Sequence, residues 1–227
     1  YLGPSFSNEE IAVLFDREVD KIADAGCTVQ RVDQLPSLYE RTARAIAAGR
    51  VVGWFQGCME WGLRALGNRS ILGDPRRPDM KDILNLKIKR RESFRPFAPS
   101  VLREHVKDWF ELDDDVPFMM KVFQIREAKR PQIPAVTHVD GSGRLQTVYR
   151  DTNERYYDLI KVFHQMTGVP MVLNTSFNEN EPVVCKPSEA LDCFLRTKMD
   201  LLVLGDWLVE RADGASDTPR PPKETAS

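Results

Sequence analysis

The amino-acid sequence predicts a mixed α/β (α+β) fold in which a twisted β-sheet is flanked by helices. Amphipathic segments alternate with short apolar runs along the 227 residues, and this pattern is typical of a sheet covered by helices. Hairpin turn signals and a proline-rich extended segment lie between them, which a purely parallel sheet would not require. We therefore expect a mixed sheet.

The amino-terminal part of the chain carries clear local signals. Ser7 and Glu10 are spaced as a capping box ahead of periodic apolar residues, which predicts a helix over 8–24. Gly49 ends a second amphipathic segment, because glycine readily adopts the conformation found beyond helix ends. The elements predicted after the first helix are a strand at 28–32, a helix at 37–48, a buried strand at 51–57 and a helix at 78–91.

Turn residues and alternation predict the elements of the second half. The HVDGSG turn joins two strands, and Gly168 stops a helix that Asp151 or Thr152 can cap. Gly205 and Asp206 form the turn of a final hairpin. The predicted elements are strands at 118–126 and 144–148, a helix at 152–166, a strand at 169–177, a helix at 188–198 and a hairpin at 201–211.

Composition predicts a globular protein that needs no covalent crosslink. With 42% hydrophobic residues, a chain of this length can bury a sizeable core. The apolar runs are too short to span a membrane and no signal peptide opens the chain, so we expect a cytoplasmic protein. The four cysteines contain no CxxC pair, which favours buried hydrophobic positions over a zinc site or disulfides.

The sequence also predicts one domain and a tail. No linker interrupts residues 1–211, whereas residues 212–227 are polar and proline-rich and cannot order themselves by burying apolar surface. The chain begins at Tyr1 rather than at a methionine. We expect a single domain over 1–211, a disordered tail, and a parent polypeptide that is longer than this chain.

Positive charge is concentrated in one block. Between Arg64 and Arg103 the sequence holds eleven basic and four acidic residues, although the net charge of the whole chain is -2. A basic block in an acidic protein indicates a specific anionic ligand more than a nucleic-acid coat. A solvated helix face is the alternative, and it stays open for Arg76, Arg77 and Arg90.

The segment KIKRRESFRPFAPSV allows two interpretations. On a helix, Lys87 and Arg91 share a face while Lys89 points elsewhere. In an extended segment, alternate residues point the same way, which aligns Lys89, Arg91 and Arg95 toward one anion. Arginine and lysine suit phosphate groups. A surface-exposed basic helix end is the competing interpretation.

The segment VLNTSFNENEPV offers short polar groups at the end of a strand. If it stays extended, Asn174, Ser176 and Asn178 lie on one side of the pleat, where they can orient a ligand. Ser176 has no neighbouring His or Lys in the sequence to activate it, so no nucleophile is predicted. A turn that satisfies its own backbone is the alternative.

The three histidines have no metal-ligand spacing, so no metal site is predicted. His138 lies beside Asp140 and near Arg144 in a glycine-bearing turn, which makes it a candidate wall of a binding site. His164 lies in an amphipathic helix and is a surface or packing residue. The glycines match neither a Walker A loop nor GxGxxG.

Four motifs in register resemble a known family: FQGCMEWGLRALGNRSILGDPR, KIKRRESFRPFAPSVL, THVDGSGRLQTV and VLNTSFNENEPVV. Their order and spacing resemble the carboxyl-terminal domain of the NodU/CmcH-type O-carbamoyltransferases, and the resemblance runs from the start of the chain to about Val209. That domain is YrdC-like, and residues 89–91 and 176–178 match the KxR and SxN signature of the fold. The resemblance implies a YrdC-like sheet with a concave basic cavity.

The resemblance also implies an activity. Carbamoyl phosphate is hydrolysed to phosphate and carbamate, and carbamate attacks the α-phosphate of ATP to give carbamoyl-adenylate and pyrophosphate. Mg2+ is expected on the phosphates. A separate amino-terminal domain then transfers the carbamoyl group to a hydroxyl acceptor, a sugar or natural product, and this chain matches only the activating half.

The family pattern assigns expected roles to single residues. The residues expected to act on the phosphates are Lys89, Arg95 and Arg144 as catalytic residues, assisted by Arg64 and Arg91. Those expected to bind the carbamoyl and adenylate groups are Asn174, Ser176 and Asn178. His138 is added to this set from its position in the glycine-bearing turn, as a wall of the site.

The most family-specific motif, EWGLRALGNRS, divides its arginines between two tasks. Arg64 is expected to face the ligand, whereas Arg69 is expected to brace the loop through carboxylate or carbonyl contacts. Trp61, Leu63 and Leu66 are expected to seat the segment on the core.

Two alternatives stay open. One is a threonylcarbamoyl-adenylate synthase of the same fold, which takes threonine and bicarbonate in place of carbamoyl phosphate. The other is a non-catalytic module that binds double-stranded RNA through the basic surface. The acidic remainder of the chain and the lack of exposed stacking aromatics count against the second.

Overall fold

A computed structural model describes residues 1–62, 64–89 and 97–212 of the chain. The helices are α1 (Asn8–Arg17), α2 (Val19–Asp24), α3 (Leu35–Ala47), α4 (Met80–Leu84), α5 (Val106–Trp109), α6 (Glu154–Thr167) and α7 (Pro187–Arg196). The strands are β1 (Cys27–Arg31), β2 (Val52–Phe55), β3 (Arg69–Gly73), β4 (Ala98–Leu102), β5 (Phe123–Gln124), β6 (Ser142–Gly143), β7 (Gln146–Val148), β8 (Met171–Ser176), β9 (Leu201–Leu204) and β10 (Trp207–Arg211). A π-helical turn (Asn85–Lys89) continues α4.

The large sheet is mixed, as the sequence predicted. Its strand order is β1-β10-β9-β2-β3-β8-β4-β7, and a separate pair joins β5 to β6. Strand β2 pairs in parallel with β9, and β4 pairs in parallel with β7, whereas the other neighbours in the large sheet are antiparallel. The fold class is therefore confirmed: a large mixed sheet with helices beside it.

Helix ends follow the predicted signals closely. The capping box is present, since the Ser7 hydroxyl accepts from the Glu10 amide at 3.2 Å and the Glu10 carboxylate accepts from the Ser7 amide at 2.8 Å. The predicted helix over 8–24 is nevertheless two helices, because Glu18 leaves helical geometry between them. Asn153, rather than the predicted Asp151 or Thr152, caps α6 through its side chain.

Two predicted elements in the middle of the chain were wrong in extent. The alternating residues 118–126 form a strand only at Phe123–Gln124, and Met119 adopts a left-handed backbone with φ 56° that no regular strand accommodates. Of the helix predicted over 78–91, the described residues 78–89 are α-helical only over Met80–Leu84. It then widens to a π-helical turn, a feature that often lies near functional sites.

The core surrounds β2, β8 and β9, whose apolar side chains are buried. Cys27 and Cys193 are buried as predicted, whereas Cys58 is exposed and Cys185 is half-buried. The predicted core contact of Trp61 was also wrong, since 85% of this residue is exposed. Leu63 lies outside the described residues, as do residues 213–227 of the predicted tail.

No helix in the part of the chain that the structure covers is long and apolar enough to cross a membrane.

Candidate functional site

The loop of EWGLRALGNRS, residues 60–69, is organised around one carboxylate. Glu60 is 5% exposed, and its Oε1 accepts hydrogen bonds from the backbone amides of Leu66 and Asn68 at 2.7 Å and of Arg69 at 3.1 Å. A carboxylate that collects backbone N–H groups fixes the path of the chain around it. Glu60 therefore shapes the loop from inside.

Arg69 braces the same loop. Its guanidinium is completely buried and lies 3.6 Å from the centre of the Phe55 ring. Its Nη1 donates to the carbonyls of Gln56 and Asn68 at 2.7 and 3.0 Å, and its Nη2 donates to two further carbonyls at 3.1 and 3.2 Å. Burial lowers the pKa of Arg69 to about 10. The predicted bracing role is confirmed.

Gly67 explains why this loop needs glycine. Its φ is 105°, and a Cβ built on it would lie 2.1 Å from Cδ1 of Tyr156 in α6. Its amide donates to the Ser70 hydroxyl at 3.1 Å, and its carbonyl accepts from the Trp54 indole at 2.9 Å. The absence of a side chain at Gly67 therefore lets the loop pack closely against α6 and the sheet.

A buried polar cluster lies beneath the loop, where β8 runs between β3 and β4. Asn174 is 1% exposed, and its Nδ2 lies 3.1 Å from the Ala65 carbonyl, 3.0 Å from the Ser100 hydroxyl and 3.2 Å from Gln146 Oε1. The Gln146 amide donates to the Leu66 carbonyl at 2.9 Å. Asn174 thus ties the loop to three strands, while its Oδ1 has no hydrogen-bond partner among the described residues.

The SxN pair forms a tight turn after β8. The Ser176 hydroxyl donates to Asn178 Oδ1 at 2.8 Å, and Asn178 Nδ2 donates to the Glu181 carbonyl at 2.6 Å. Arg196 of α7 forms ion pairs with Glu179 and Glu181, the residues that follow this turn, at 2.8 and 2.9 Å. Burial raises the pKa of Glu181, but backbone amides and Arg196 outweigh it and lower the pKa to about 2. The turn is therefore built in a fixed shape.

The 137–144 hairpin contains a chain of polar side chains. The Ser142 hydroxyl donates to Asp140 Oδ1 at 2.6 Å and lies 3.0 Å from Nδ1 of His138. The His138 amide donates to the Ser142 carbonyl at 2.8 Å, which closes the turn around Gly141. His138 Nε2 is buried and has no hydrogen-bond partner within the described ranges.

Two cations flank this histidine. Lys81 of α4 donates to the Thr137 carbonyl at 3.1 Å, one residue from His138, and Arg144 is half-buried on the turn between β6 and β7. Burial lowers the pKa of His138; Asp140 opposes this effect, and Lys81 and Arg144 reinforce it. The imidazole is therefore neutral near pH 7.

Asn85 was not anticipated from the sequence. It is 9% exposed, and neither atom of its amide has a hydrogen-bond partner in the part of the chain that is described. It lies four residues after Lys81, at the start of the π-helical turn that continues α4. The signal in the sequence was its spacing of four residues from Lys81, which puts the two residues on successive turns of the helical segment.

Part of the predicted basic site falls outside the described residues. This applies to Arg90, Arg91 and Arg95 and to the side chain of Lys89. Arg64 is half-buried in the 60–69 loop.

Several members of the basic block have structural partners. Arg76 binds Asp74 at 2.6 Å, and Lys87 binds Asp200 at 2.7 Å. Other such residues are Arg69, Arg77 and Arg103. The block is therefore divided between structural cations and those next to the site, and Arg76 and Arg77 belong to the first group.

A cavity of about 430 Å³ opens beside the loop. The residues that line it include Tyr1, Trp61 and Phe118, together with Gln146 from the polar cluster. The cavity therefore reaches the same strand that carries part of the buried polar cluster. Among residues 1–62, 64–89 and 97–212, no group of three His, Cys, Asp or Glu side chains is placed to hold a metal ion.

The described residues form an α/β domain in which buried polar side chains lie next to cations. Residues 43–211 match the family described as carbamoyltransferase C-terminus. The chain belongs to this family, as the resemblance implied.

Curated relatives agree with this assignment. The chain is 47% identical to nodulation protein NolO of Bradyrhizobium diazoefficiens, and the match covers 93% of this chain and 38% of that protein. It is 47% identical to an uncharacterized protein of Synechocystis, with 93% and 37% covered. It is 40% identical to the 3'-hydroxymethylcephem-O-carbamoyltransferase of Amycolatopsis lactamdurans, with 79% and 34% covered. The chain spans about a third of the length of these relatives.

Full-length HypF, solved in a phosphate- and nucleotide-bound form, superposes with a TM-score of 0.45 and 15% identity, covering 82% of this chain and 22% of that chain.

Proposed function

We propose that this domain activates carbamoyl phosphate with ATP, forming carbamoyl-adenylate. The observation that carries the proposal is the family match over residues 43–211, which contains all four motifs. A relative named as an O-carbamoyltransferase at 40% identity supports it. The positive charges of Lys81 and Arg144, which act on His138, support binding of an anionic substrate at this place.

The proposed reaction is balanced in two steps. Water attacks carbamoyl phosphate, and the bond between the carbamoyl group and phosphate breaks to leave carbamate and inorganic phosphate. A carbamate oxygen then attacks the α-phosphorus of ATP, and pyrophosphate leaves. Both substrates are polyanions, so the main catalytic effects are charge stabilisation and positioning in a site closed to bulk water. Mg2+ would enter with the ATP phosphates.

The residues in this proposal have separate tasks. Lys89, Arg95 and Arg144 act on the transferred phosphates, and Arg64 and Arg91 assist them. Asn174, Ser176 and Asn178 bind the carbamoyl and adenylate groups, and His138 forms a wall of the site. The rigid turn at Ser176 and the buried position of Asn174 favour binding roles for these residues over nucleophilic ones.

The carbamoyl group would pass to a hydroxyl-bearing acceptor on a further domain of the same polypeptide. This proposal follows from the relatives, which are about three times as long as the chain.

The test supplies the protein with ATP, Mg2+ and carbamoyl phosphate and measures pyrophosphate. We expect release that requires both substrates. Lys89→Ala and Arg95→Ala should abolish it without unfolding the domain, as checked by circular dichroism. Arg77→Ala is the matched control, because its guanidinium pairs with Asp79 at the surface.

Three outcomes would contradict the proposal. Normal turnover in both variants would overturn the site assignment. Turnover only with threonine and bicarbonate would make the domain a threonylcarbamoyl-adenylate synthase. Salt-dependent binding to double-stranded RNA, without ATP binding in calorimetry, would indicate a nucleic-acid module.

A further inference from the structure

We propose that His138 accepts a hydrogen bond from the amino group of carbamoyl phosphate through Nε2, and thereby selects carbamoyl over acyl groups that lack an N–H. This inference rests on the proposed function, since it names what one residue of that site recognises. It depends on the chain of hydrogen bonds from Asp140 through Ser142 to His138.

The first step is the position of the protons. A serine hydroxyl has one hydrogen, and that of Ser142 points to Asp140 Oδ1 at 2.6 Å. The Asp140 carboxylate cannot donate, and it also accepts from the Ser142 amide at 3.0 Å. The Ser142 oxygen must therefore accept from Nδ1 of His138, 3.0 Å away. A neutral ring with its proton on Nδ1 presents a lone pair at Nε2.

The second step is the open end of this chain. His138 Nε2 is buried and has no hydrogen-bond partner in the ranges that the structure describes. A buried polar atom without a partner costs about 1–3 kcal/mol, and a ligand that makes the missing hydrogen bond would remove that cost. The missing group is a donor, because the nitrogen can only accept.

The third step is the charge around that nitrogen. Lys81 and Arg144 lie close enough to disfavour a proton on His138. A ligand that fits this position has a negative charge, which the two cations attract, and an N–H group, which donates to the imidazole. Carbamoyl phosphate has both within one small molecule, whereas acetyl phosphate has the charge and a methyl group where the amino group would be.

The test uses two stable analogues that differ only at this position. Phosphonoacetamide carries an amide NH2, and acetonylphosphonate carries a methyl group in its place. Calorimetry on the wild-type protein should show phosphonoacetamide binding about 10- to 100-fold more tightly, the range that one buried hydrogen bond provides. Equal affinities for the two analogues would overturn the inference.

Variants assign that preference to one side chain. His138→Phe should bring the two affinities within about twofold of each other, since an aromatic ring remains but the acceptor is lost. Ser142→Ala frees the other tautomer and should reduce the preference to an intermediate value, which also covers the case in which His138→Phe fails to fold. His164→Phe is the matched control, because that ring lies on α6 and packs against His105 at 4.5 Å between centroids, and this variant should keep the wild-type preference. A His138→Phe protein that folds and keeps the full preference would refute the proposal.

Nitrogen NMR of the imidazole rings gives a readout without turnover. The His138 ring should show a protonated Nδ1 and an unprotonated Nε2 in the wild type, and Ser142→Ala should shift population to the other tautomer. An Nε2-protonated ring in the wild type would exclude the acceptor role. The protein can release pyrophosphate from carbamoyl phosphate and ATP and yet bind both analogues equally or carry the proton on Nε2 of His138. In that case this inference is wrong, and the proposed function stands.

Discussion

The 60–69 loop and the 137–144 hairpin both hold buried polar groups, but they use them in opposite ways. In the loop, Glu60 and Arg69 direct their hydrogen bonds to backbone groups of the loop and the segments beside it. In the hairpin, bonds run from side chain to side chain and end at an imidazole nitrogen with no partner in the described structure.

The difference separates a group that shapes the backbone from one that is held ready for a ligand. A charged side chain that satisfies backbone atoms is costly to remove, because several groups lose their partner together. Substitution of a side chain at the end of a series of hydrogen bonds should lower stability little, because one of its polar atoms has no hydrogen bond to lose. Changes in the loop should therefore lower stability, and changes in the hairpin should alter ligand preference.

The largest effect is expected for Arg69→Met. The variant leaves four backbone carbonyl contacts without their donor in a buried place, and we expect a loss of about 3–5 kcal/mol in the free energy of unfolding. Urea denaturation measures it. Arg77→Met, which removes an exposed pair with Asp79, should change stability by less than about 1 kcal/mol. If Arg69→Met and Arg77→Met lost equal amounts of unfolding free energy, the hydrogen bonds of Arg69 would not stabilise the loop more than an exposed ion pair does.

Glu60→Gln should have the next largest effect. The amide oxygen keeps the shape but carries no full charge, so the three backbone amides at 2.7–3.1 Å lose charge-assisted bonds. We expect about 1–3 kcal/mol of destabilisation in the same denaturation experiment. Glu154→Gln is the control, since that carboxylate pairs with Arg150 at the surface. A neutral result for Glu60→Gln would show that shape alone holds the loop.

Ser142→Ala should destabilise the protein by only about 1 kcal/mol, although Ser142 is 2% exposed. The hydroxyl it loses is bonded to an exposed carboxylate and to one imidazole nitrogen. Its measurable effect should be the weaker preference for the amide analogue. A stability loss as large as that of Arg69→Met would place the hairpin in the same class as the loop.

The smallest effect is expected for Lys81→Met. Burial lowers the pKa of His138 below its usual 6.5, and Lys81 adds to this because a like charge disfavours the imidazolium. Removing Lys81 should raise the pKa, and an NMR titration of the ring protons measures the change. The amide preference requires the neutral ring, so in the wild type it should persist below pH 6.5 and disappear as pH falls through the lowered pKa. A fall in the pKa of Lys81→Met would contradict this account.

Local signals predicted much of the fold because they depend on few neighbouring residues. The capping box at Ser7 and the stop at Gly168 lie where the sequence placed them. The strand expected over 118–126 failed because alternation alone does not provide a partner strand, and only Phe123–Gln124 finds one in β6.

The sequence predicted single residues of the candidate site but not the contacts between them. The bracing role of Arg69 followed from the motif, and the role of His138 in ligand binding stays a prediction. The Ser142 bridge and the buried amide of Asn85 could not be predicted, because both depend on side-chain directions that tertiary packing determines. Trp61 illustrates the same limit, since its apolar character suggested burial but the loop turns it outward.

The strand order also has a consequence for synthesis of the protein. Strand β1 joins the large sheet through β10, and β2 pairs on one side with β9. The pairing of both early strands is therefore complete only after residues beyond 200 have been synthesised. While the chain leaves the ribosome, these edges stay open to other nascent chains, and non-local pairing of this kind is slow. A chain that terminated before β9 would leave β1 and one side of β2 without their pairing partners in this sheet. Pairing with β9 and β10 therefore protects the early strands from aggregation.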